Sequence, residues 1–317
     1  MRDYQAYLLW WVEPNVYECD WISSCLSRVQ YKEIVDLECK ERIQNCIIVA
    51  NTLRSKLGAF KDLQHHGIQF SLIHISDEYL DDDYRVYSLP CCTRIFRNYF
   101  HPLLSHTKVV TFGIGYRNDF WKTRETQIAD QHRPYTWSFA GYLKKSDRML
   151  ICKLFNHIEP HFLHESTGFN SGIIDPVTYR DVILRSKFVL CPVGNCSIDT
   201  FRLYEALEGG CIPVTLTTNV NQPYIRMIAN YWQAIFGTAA IPFIMSNTWE
   251  ENVQKVIYLL KNENVYNDLR AHVVSFWEHY KEKLRDKFAS ELNSTSIMHH
   301  TLSNLGDTPS STQEIED

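Results

Sequence analysis

Apolar runs and amphipathic stretches alternate through the first third of the chain. The apolar runs have the length and composition of buried strands. These predicted strands are Tyr7–Val12, Cys46–Ala50, Phe70–Ile75 and Lys108–Phe112. Helical spacing over Glu33–Cys39 and Leu53–Leu63 places helices between or near them. This rhythm predicts an α/β sheet.

A second alternation follows a polar segment, Arg117–Pro134, which has few aliphatic side chains and is predicted to be a linker. The predicted elements beyond it are the strands Tyr135–Ala140, His161–His164, Lys187–Cys191 and Cys211–Leu216 and the helices Ser146–His157, Pro176–Arg185 and Ser197–Glu208. Such a βαβα order implies parallel strands with right-handed crossovers. The chain is therefore predicted to form two Rossmann-like domains that face a central cleft.

These patterns also predict the domain boundaries. We predict an N-terminal domain over residues 1–125, a C-terminal domain over 126–265 and a bracing helix over 266–292. Helical spacing over Trp249–Leu260 and Val265–Phe288 supports the brace, because the second segment is long enough to contact both domains. Residues 293–317 are rich in Ser, Thr and acidic residues and are predicted to be disordered.

Composition excludes several classes of protein. The 317 residues are 45% hydrophobic and 22% charged, with only 12 Gly and 11 Pro, as in ordinary globular chains. With 32 Lys and Arg against 37 Asp and Glu, the net charge of −5 gives no electrostatic reason to bind nucleic acid or an anionic membrane. No run approaches the roughly 18 to 20 apolar residues of a transmembrane span. Ten cysteines without C-x-x-C spacing predict reduced thiols, a cytoplasmic location and no structural zinc.

The stretch Ser186–Val214 holds the strongest candidate for a binding site. Its pattern predicts a buried strand, a loop with Pro192 and Gly194, a helix capped by Ser197 or Asp199, a Gly-Gly stop and another buried strand. Loops at the carboxyl ends of parallel strands hold ligands in α/β folds, and a helix that begins there offers free N–H groups. Phosphate would fit this position.

Arg202 and Glu205 lie three residues apart on this predicted helix and share one of its faces. They are either ligands of a bound molecule or a surface ion pair, which would contribute only about 0.3–0.5 kcal/mol. The spacing alone does not separate these two interpretations.

The same stretch resembles the C-terminal signature of the exostosin glycosyltransferases. The matching residues are Ser-x-Phe, Cys-Pro-x-Gly, Phe-Arg-x-x-Glu-Ala and Gly-Cys-Ile-Pro-Val, and Trp137–Gly141 with Arg148 resembles the family's Phe-x-Gly…Arg element. The resemblance implies an α/β GT-B fold, a nucleotide-sugar donor and inversion at the anomeric carbon. It also implies that Arg202 contacts the diphosphate and Glu205 the ribose hydroxyls. Asp199 departs from this picture, because a carboxylate there competes with the anion, and we interpret it as a cap.

The segment Gly141–Arg148 places cations at a helix start, where the helix dipole disfavours them. Ser146 is a good N-cap residue, and Lys144, Lys145 and Arg148 surround it. A bound anion would remove the conflict, whereas a solvated basic turn is the alternative. Together with the resemblance, this favours Arg148 first and Lys144 second as phosphate ligands, with Gly141, Pro192, Gly194 and Ser197 completing the donor site. Cationic side chains would then stabilise the leaving diphosphate, and no metal or other cofactor is expected.

An inverting transfer needs a base for the acceptor hydroxyl. Asp77 and Glu78 follow the strand Phe70–Ile75, so either carboxylate could enter the cleft from the N-terminal, acceptor-side domain. Asp77 is the first choice and Glu78 the second. The alternative is an ordinary helix start, with Ser76 or Asp77 as the cap and Glu78 in the first turn.

Other polar groups near predicted strand ends complete the candidate residues. Arg97 and Tyr116 are assigned to the acceptor side. The Asp81-Asp82-Asp83 run contains an Asp-x-Asp spacing, but it follows no predicted strand end and we interpret it as a solvated acidic loop. Gly113-x-Gly115 lacks the third glycine of the dinucleotide fingerprint, which argues against a dehydrogenase.

The sequence therefore predicts an inverting glycosyltransferase that moves a sugar from a UDP donor to an oligosaccharide or glycoprotein glycan and forms a β-linkage. Similarity to small xylosyltransferase-like members favours xylose. A carbohydrate-binding or scaffold subunit that keeps the fold without turnover is the second hypothesis, because a fold persists after its catalytic base is lost.

Overall fold

The computed structural model describes residues 6–13, 16–37, 43–120, 132–168, 171–217 and 230–303. Within these residues the chain forms two parallel β-sheets, one of six strands and one of five. No helix in this part of the chain combines the length and the hydropathy needed to cross a bilayer.

The first sheet has the strand order β2-β1-β3-β4-β5-β6. Its strands are β1 (Tyr7–Trp11), β2 (Lys32–Ile34), β3 (Asn45–Ala50), β4 (Gln69–His74), β5 (Cys92–Arg97) and β6 (Val109–Thr111), accompanied by the helices α1 (Cys19–Cys25) and α2 (Leu57–His65). The central strands read as near-continuous apolar runs because both faces are covered; Phe70, Leu72 and Ile73 of β4 are fully buried.

The second sheet has the order β11-β10-β9-β7-β8. Its strands are β7 (Tyr135–Gly141), β8 (His161–Glu165), β9 (Ser186–Leu190), β10 (Ile212–Leu216) and β11 (Ile244–Ser246), and its helices are α3 (Arg148–Phe155), α4 (Pro176–Leu184), α5 (Phe201–Glu208), α6 (Tyr231–Phe236) and α7 (Trp249–Lys261). Helices α4, α5 and α7 pack against the central strands. The parallel order and the crossover helices predicted from the sequence are confirmed.

The last helix, α8 (Glu263–Ser303), contacts both sheets. On the first side, the Phe288 ring stacks on Phe96 with 4.0 Å between ring centroids, and Trp277 stacks on Trp21 at 5.5 Å. On the second side, α8 packs against α5, α7 and β10. Because Phe96, Phe288, Trp21 and Trp277 are all buried, and a buried apolar side chain contributes about 1.5–3 kcal/mol, this helix ties the two units together.

The structure corrects several predicted elements. Residues 32–34 form the edge strand β2 where a helix over Glu33–Cys39 was predicted, because they pair in parallel with Tyr7–Leu9 of β1. Helix α5 begins at Phe201 instead of Ser197, so the loop before it is longer than predicted. Residues 293–303, which were predicted to begin a disordered tail, continue helix α8. Most of the predicted linker, residues 121–131, lies outside the described residues.

Candidate functional site

Loops at the carboxyl ends of the two sheets contact each other directly. The loop after β4 carries Glu78, and the loop after β9 carries Asn195, Cys196 and Ser197. One Glu78 carboxylate oxygen, Oε1, accepts hydrogen bonds from the main-chain N–H groups of these three residues at 2.6, 2.8 and 3.2 Å. Its other oxygen, Oε2, accepts from the Asn195 side-chain amide at 2.6 Å. Four donors of the second unit therefore bind one carboxylate of the first.

Glu78 does not lie in a helix. The Leu80 N–H bonds the Asp77 carbonyl at 3.4 Å in a turn, and Ser76 and Leu80 have positive φ values of 62° and 56°. Non-glycine residues adopt this conformation at a cost, and such strain concentrates at functional sites. The helix-start interpretation of Ser76–Glu78 is therefore wrong.

Asp77, the first choice for the base, is buried and fully engaged by protein groups. Its Oδ2 lies 3.2 Å from Nη2 of Arg97 and accepts from the Tyr84 hydroxyl at 2.6 Å. Its Oδ1 accepts from the Asp81 N–H at 3.3 Å. The geometry makes Asp77 the anchor of a buried ion pair at the wall of the polar cavity described below.

The two residues assigned to the acceptor side are also internal. Arg97 is only 1% exposed and donates to Tyr87 as well as to Asp77. Tyr116 packs edge-on against Trp21 with 5.4 Å between ring centroids, and burial raises its pKa to about 12. Their assignment to the acceptor surface is therefore wrong, because both side chains are buried in the first unit.

Arg148 stands at the start of α3, buried beside the loop after β9. Its guanidinium donates to the Tyr142 carbonyl at 3.3 Å and to the Val193 carbonyl at 3.1 Å, while its Nε is buried without a hydrogen-bond partner. Desolvation and the neighbouring Arg202 charge lower its pKa to about 10. A buried cation with an unused donor is suited to an anionic ligand.

Arg202 projects from the first turn of α5 towards the end of β7. It donates to the Ala140 carbonyl at 2.7 Å, its guanidinium lies 4.6 Å from the centroid of the Phe139 ring, and its Nε is buried and unpaired. Gly141 makes room for it, because a Cβ there would come within 3.0 Å of Arg202 Nη2 and the Gly141 φ is +151°. This explains why glycine is needed at the end of β7.

Lys145, and not the predicted Lys144, completes the group of cations. The Lys145 ammonium donates to the Asn195 side-chain oxygen, whereas Lys144 is exposed. Desolvation and the charges of Arg148 and Arg202 lower the pKa of Lys145. Helix α3 begins later than predicted: Ser146 has a φ of +56° and does not serve as the N-cap, and Asp147 takes that position. This shift places Lys145 instead of Lys144 beside the loop.

Lys145, Arg148 and Arg202 form what we call the cation cluster. Within the described residues, none of the three makes an ion pair with a carboxylate at 4 Å or less. Glu78 is the acidic residue whose charge acts on both Lys145 and Arg148. Three mutually repelling cations beside three convergent amides are an arrangement suited to an anionic ligand.

Internal hydrogen bonds fix the conformation of the loop between β9 and α5. The Gly194 N–H bonds the Ser197 carbonyl at 2.7 Å, and the Ser197 hydroxyl accepts from the Asp199 N–H at 3.0 Å. A Cβ at Gly194 would lie 2.7 Å from the Glu78 carboxylate, so glycine allows the close approach. Pro192 is buried at the start of this loop.

Asp199 and Glu205 both lie deeper than predicted. Asp199 is not a helix cap, because Thr200 holds the N-cap position of α5; it is buried, accepts from the Tyr231 hydroxyl at 3.0 Å, and burial raises its pKa to about 7. Glu205 accepts from the Tyr179 hydroxyl at 2.7 Å, and burial raises its pKa above the usual range. Neither carboxylate adds an exposed charge beside the cation cluster.

A polar cavity of about 160 Å³ opens at the carboxyl ends of β3 and β4. Its lining carries the carboxylates of Asp77, Glu78, Asp81 and Asp82 together with Asn51, Thr52, Arg54 and Ser76. Tyr79 also lines it, with 63% of its surface exposed. Polar groups next to an exposed aromatic ring suit a sugar or polyol. The cavity adjoins the anion-binding loop through Glu78.

The Asp81-Asp82-Asp83 run is not a solvated acidic loop throughout. Asp82 is largely buried, accepts from the Leu53 and Arg54 N–H groups at 2.6 and 2.8 Å, and lies 3.1 Å from His74 Nε2. Despite its burial, these hydrogen bonds and the His74 charge lower its pKa. No group of His, Cys, Asp and Glu suited to a metal ion occurs among the described residues.

Sequence reasoning also missed Glu18, which follows β1. Glu18 is 1% exposed and accepts from the Ser76 hydroxyl at 2.6 Å and from the Tyr17 N–H at 3.0 Å. Burial raises its pKa. Its place after a strand end is the signal that could have identified it, and it supports the strained Ser76 that precedes Asp77 and Glu78.

A family model described as the RXYLT1 C-terminal domain matches residues 116–297, more than half of the chain. The chain belongs to this family. The match contains the cation cluster and the whole second sheet. The resemblance to exostosin-like, xylosyltransferase-like glycosyltransferases that was predicted from Ser186–Val214 is thereby confirmed.

Two curated relatives of this RXYLT1-type chain carry the name ribitol-5-phosphate xylosyltransferase 1. The human protein is 24% identical over 229 residues, which cover 65% of this chain and 49% of that protein. The mouse protein is 26% identical over 134 residues, which cover 38% of this chain and 28% of that protein. The chain therefore spans about half the length of the human relative that it matches.

Solved structures support the fold of this family member. Anabaena Alr3699/HepE in complex with UDP-glucose aligns over 91% of this chain and 99% of that chain, with a TM-score of 0.51 and 7% identity. The same protein in complex with UDP and glucose aligns over 95% of this chain with a TM-score of 0.51 and 8% identity. The predicted GT-B fold, with two parallel α/β units, is confirmed.

Proposed function

We propose that this protein is an inverting glycosyltransferase that moves xylose from UDP-xylose to a glycan acceptor bearing ribitol phosphate, and forms a β-linkage. The cation cluster beside the amides of residues 195–197 is the observation that carries the proposal. Family membership, the name of the curated relatives and the UDP-sugar complexes of the HepE structures support the donor, the sugar and the acceptor.

The cluster would stabilise the diphosphate as it leaves. Negative charge builds up on the departing β-phosphate in the transition state, and preorganised donors aimed at that charge lower the barrier. Lys145, Arg148 and Arg202 supply this positive charge from within the chain, so the proposed transfer does not depend on a metal ion. Glu205 lies on the same helix as Arg202, but it is buried and accepts from Tyr179, so the ribose hydroxyls proposed as its partners would have to displace the Tyr179 hydroxyl.

Glu78, instead of Asp77, is the residue proposed as the catalytic base. Both carboxylates line the polar cavity, but Asp77 is held by Arg97, Tyr84 and Asp81, whereas Glu78 contacts the donor-side loop. A carboxylate at this junction would take the proton of an acceptor hydroxyl in the cavity as that oxygen attacks the anomeric carbon and the diphosphate leaves. The cavity itself is the proposed acceptor site.

Glu78→Gln should lower kcat by about 10²-fold or more, because an amide cannot take the acceptor proton. The affinity for UDP should be no weaker than that of the unchanged protein. Initial rates at saturating donor, together with calorimetric titration of UDP, measure the two quantities. Full turnover by this variant would exclude Glu78 as the base.

The activity itself is tested with a panel of UDP-xylose, UDP-glucose, UDP-galactose, UDP-glucuronate and UDP-arabinose. UDP-xylose at about 100 times its Kd should stabilise the fold by about 2.7 kcal/mol in thermal unfolding. Transfer to a ribitol-phosphate glycan should give a β-xyloside by NMR, and EDTA should leave the rate unchanged. Loss of activity in EDTA would contradict the metal-independent mechanism.

The same assay separates the alternative, a carbohydrate-binding or scaffold subunit without turnover. One observation favours that alternative: both sequence-predicted bases have protein partners for their carboxylate oxygens. Such a subunit would bind glycan without response to UDP. Stabilisation by UDP together with xylosyl transfer would exclude it.

A further inference from the structure

Three consecutive main-chain amides converge on one oxygen of Glu78, a geometry suited to a small anion. Successive N–H groups that point into one concavity bind phosphates and carboxylates in many loops. Here the amides of Asn195, Cys196 and Ser197 hold a carboxylate from the other unit of the same chain. The anion that occupies this concavity is therefore a side chain of the protein itself.

The charges around this loop point to a second anion. Lys145 donates to Asn195, and Arg148 donates to Val193, so two cations are fixed against the same loop. Arg148 is 8% exposed and keeps a buried Nε without a partner. Glu78 and Asp147, the two carboxylates whose charges act on Arg148, do not neutralise three cations. A phosphate at this position would meet the same amides and the unused donors.

We propose that Glu78 and the donor diphosphate compete for the amides of residues 195–197, so that Glu78 is an internal competitive occupant of the phosphate site. The inference rests on the proposed function, since it takes a nucleoside diphosphate as the ligand. The apparent Kd for UDP then exceeds the intrinsic Kd by the factor by which the Glu78-bound form predominates.

Competition also couples the donor to the contact between the two units. Glu78 belongs to the loop after β4 and its partners belong to the loop after β9, so a diphosphate that takes the amides breaks this link. The released carboxylate then lies in the polar cavity, where the acceptor is proposed to bind. Donor binding thus precedes the availability of the proposed base.

Calorimetric titration of the full chain with UDP tests the competition in three proteins. Glu78→Ala should bind UDP about tenfold more tightly than the unchanged protein, if the Glu78-bound form predominates about tenfold. Asp81→Ala removes the same charge from the same loop; Asp81 lines the acceptor-side cavity, but it is exposed and its carboxylate makes no described contact with residues 194–197 of the donor side. Its UDP affinity should stay within twofold. Glu78→Asp, which keeps the charge on a shorter stem, should also bind UDP more tightly and serves if the alanine variant does not fold.

The outcomes separate this inference from the proposed function. Tighter binding by the Glu78 variants with unchanged binding by Asp81→Ala supports competition. Equal or weaker binding by Glu78→Ala overturns it and makes Glu78 a positioning residue for the loop. An equal gain in the Asp81→Ala variant also overturns it, because general electrostatics would then explain the effect. Absence of UDP binding by the unchanged protein would instead remove the proposed function.

Discussion

Replacement of Arg202 by alanine should weaken UDP binding by about 10- to 100-fold. A hydrogen bond to a charged group contributes about 1.5–3 kcal/mol, and each 1.4 kcal/mol is a factor of ten in affinity. Arg202 has a buried Nε without a partner and a guanidinium held in place by Ala140 and Phe139, so it is preorganised for the diphosphate. Isothermal titration with UDP measures the change.

Lys145 and Lys144 provide the matched comparison for this prediction. Lys145→Ala should also weaken UDP binding, by about tenfold, whereas Lys144→Ala should stay within twofold because Lys144 is exposed. The two variants remove the same charge from adjacent positions. Equal effects of both lysines would mean that net charge, and not the arrangement of the cluster, determines affinity. Unchanged affinity in Arg202→Ala would contradict the diphosphate assignment.

Replacement of Asp77 by alanine should lower the free energy of unfolding by about 3–5 kcal/mol. Arg97 is 1% exposed, and loss of its carboxylate partner would leave a buried charge without compensation. The Tyr84 hydroxyl would lose its acceptor as well. Urea unfolding followed by circular dichroism measures the loss, and Asp77→Asn, which keeps the shape, should be less severe.

The matched control for Asp77 is Asp83→Ala. Asp83 pairs with Arg85, whose side chain is 75% exposed, so its removal should change stability far less. Measurements of UDP binding and sugar transfer by Asp77→Asn also decide between the two roles considered for Asp77, the buried ion pair and the catalytic base. A stable Asp77→Asn protein that binds UDP but transfers sugar 10²-fold more slowly would restore Asp77 as the base.

The periodic part of the fold could be predicted because burial determines it. The central strands β3, β4, β9 and β10 appear as largely apolar runs, since a strand covered on both faces has little room for polar side chains. β5 could not be predicted this way, because its sequence Cys-Thr-Arg-Ile-Phe-Arg contains Arg94 and Arg97, whose charges are matched by Glu291 and Asp77 far away in the sequence. The short strands β2 and β11 carry too few residues for a periodic signal.

The structure brings together more of the residues assigned to the donor side than of those assigned to the acceptor side. Arg148, Arg202, Gly141 and Gly194 follow strand ends, where an α/β fold collects ligand-binding groups, and the resemblance to the exostosin signature selected them. Lys145 was recognised as one of the cations around Ser146, but Lys144 was chosen as the ligand because the sequence does not show the positive φ of Ser146 or the contact of Lys145 with Asn195. The charged partner of Asp77, Arg97, lies 20 residues away in the sequence, and the partners of Glu78 lie more than 100 residues away, at residues 195–197. Only the folded chain shows that one carboxylate is an internal ion pair and the other an interdomain ligand.

Titration of the unchanged protein with UDP, UMP and uridine tests the central assignment most directly. If the cation cluster and the loop amides hold the diphosphate, UDP binds with measurable heat, UMP binds more weakly by about tenfold or more, and uridine gives no detectable heat under the same conditions. Equal affinity for UDP and uridine, or no heat with UDP at all, would contradict it.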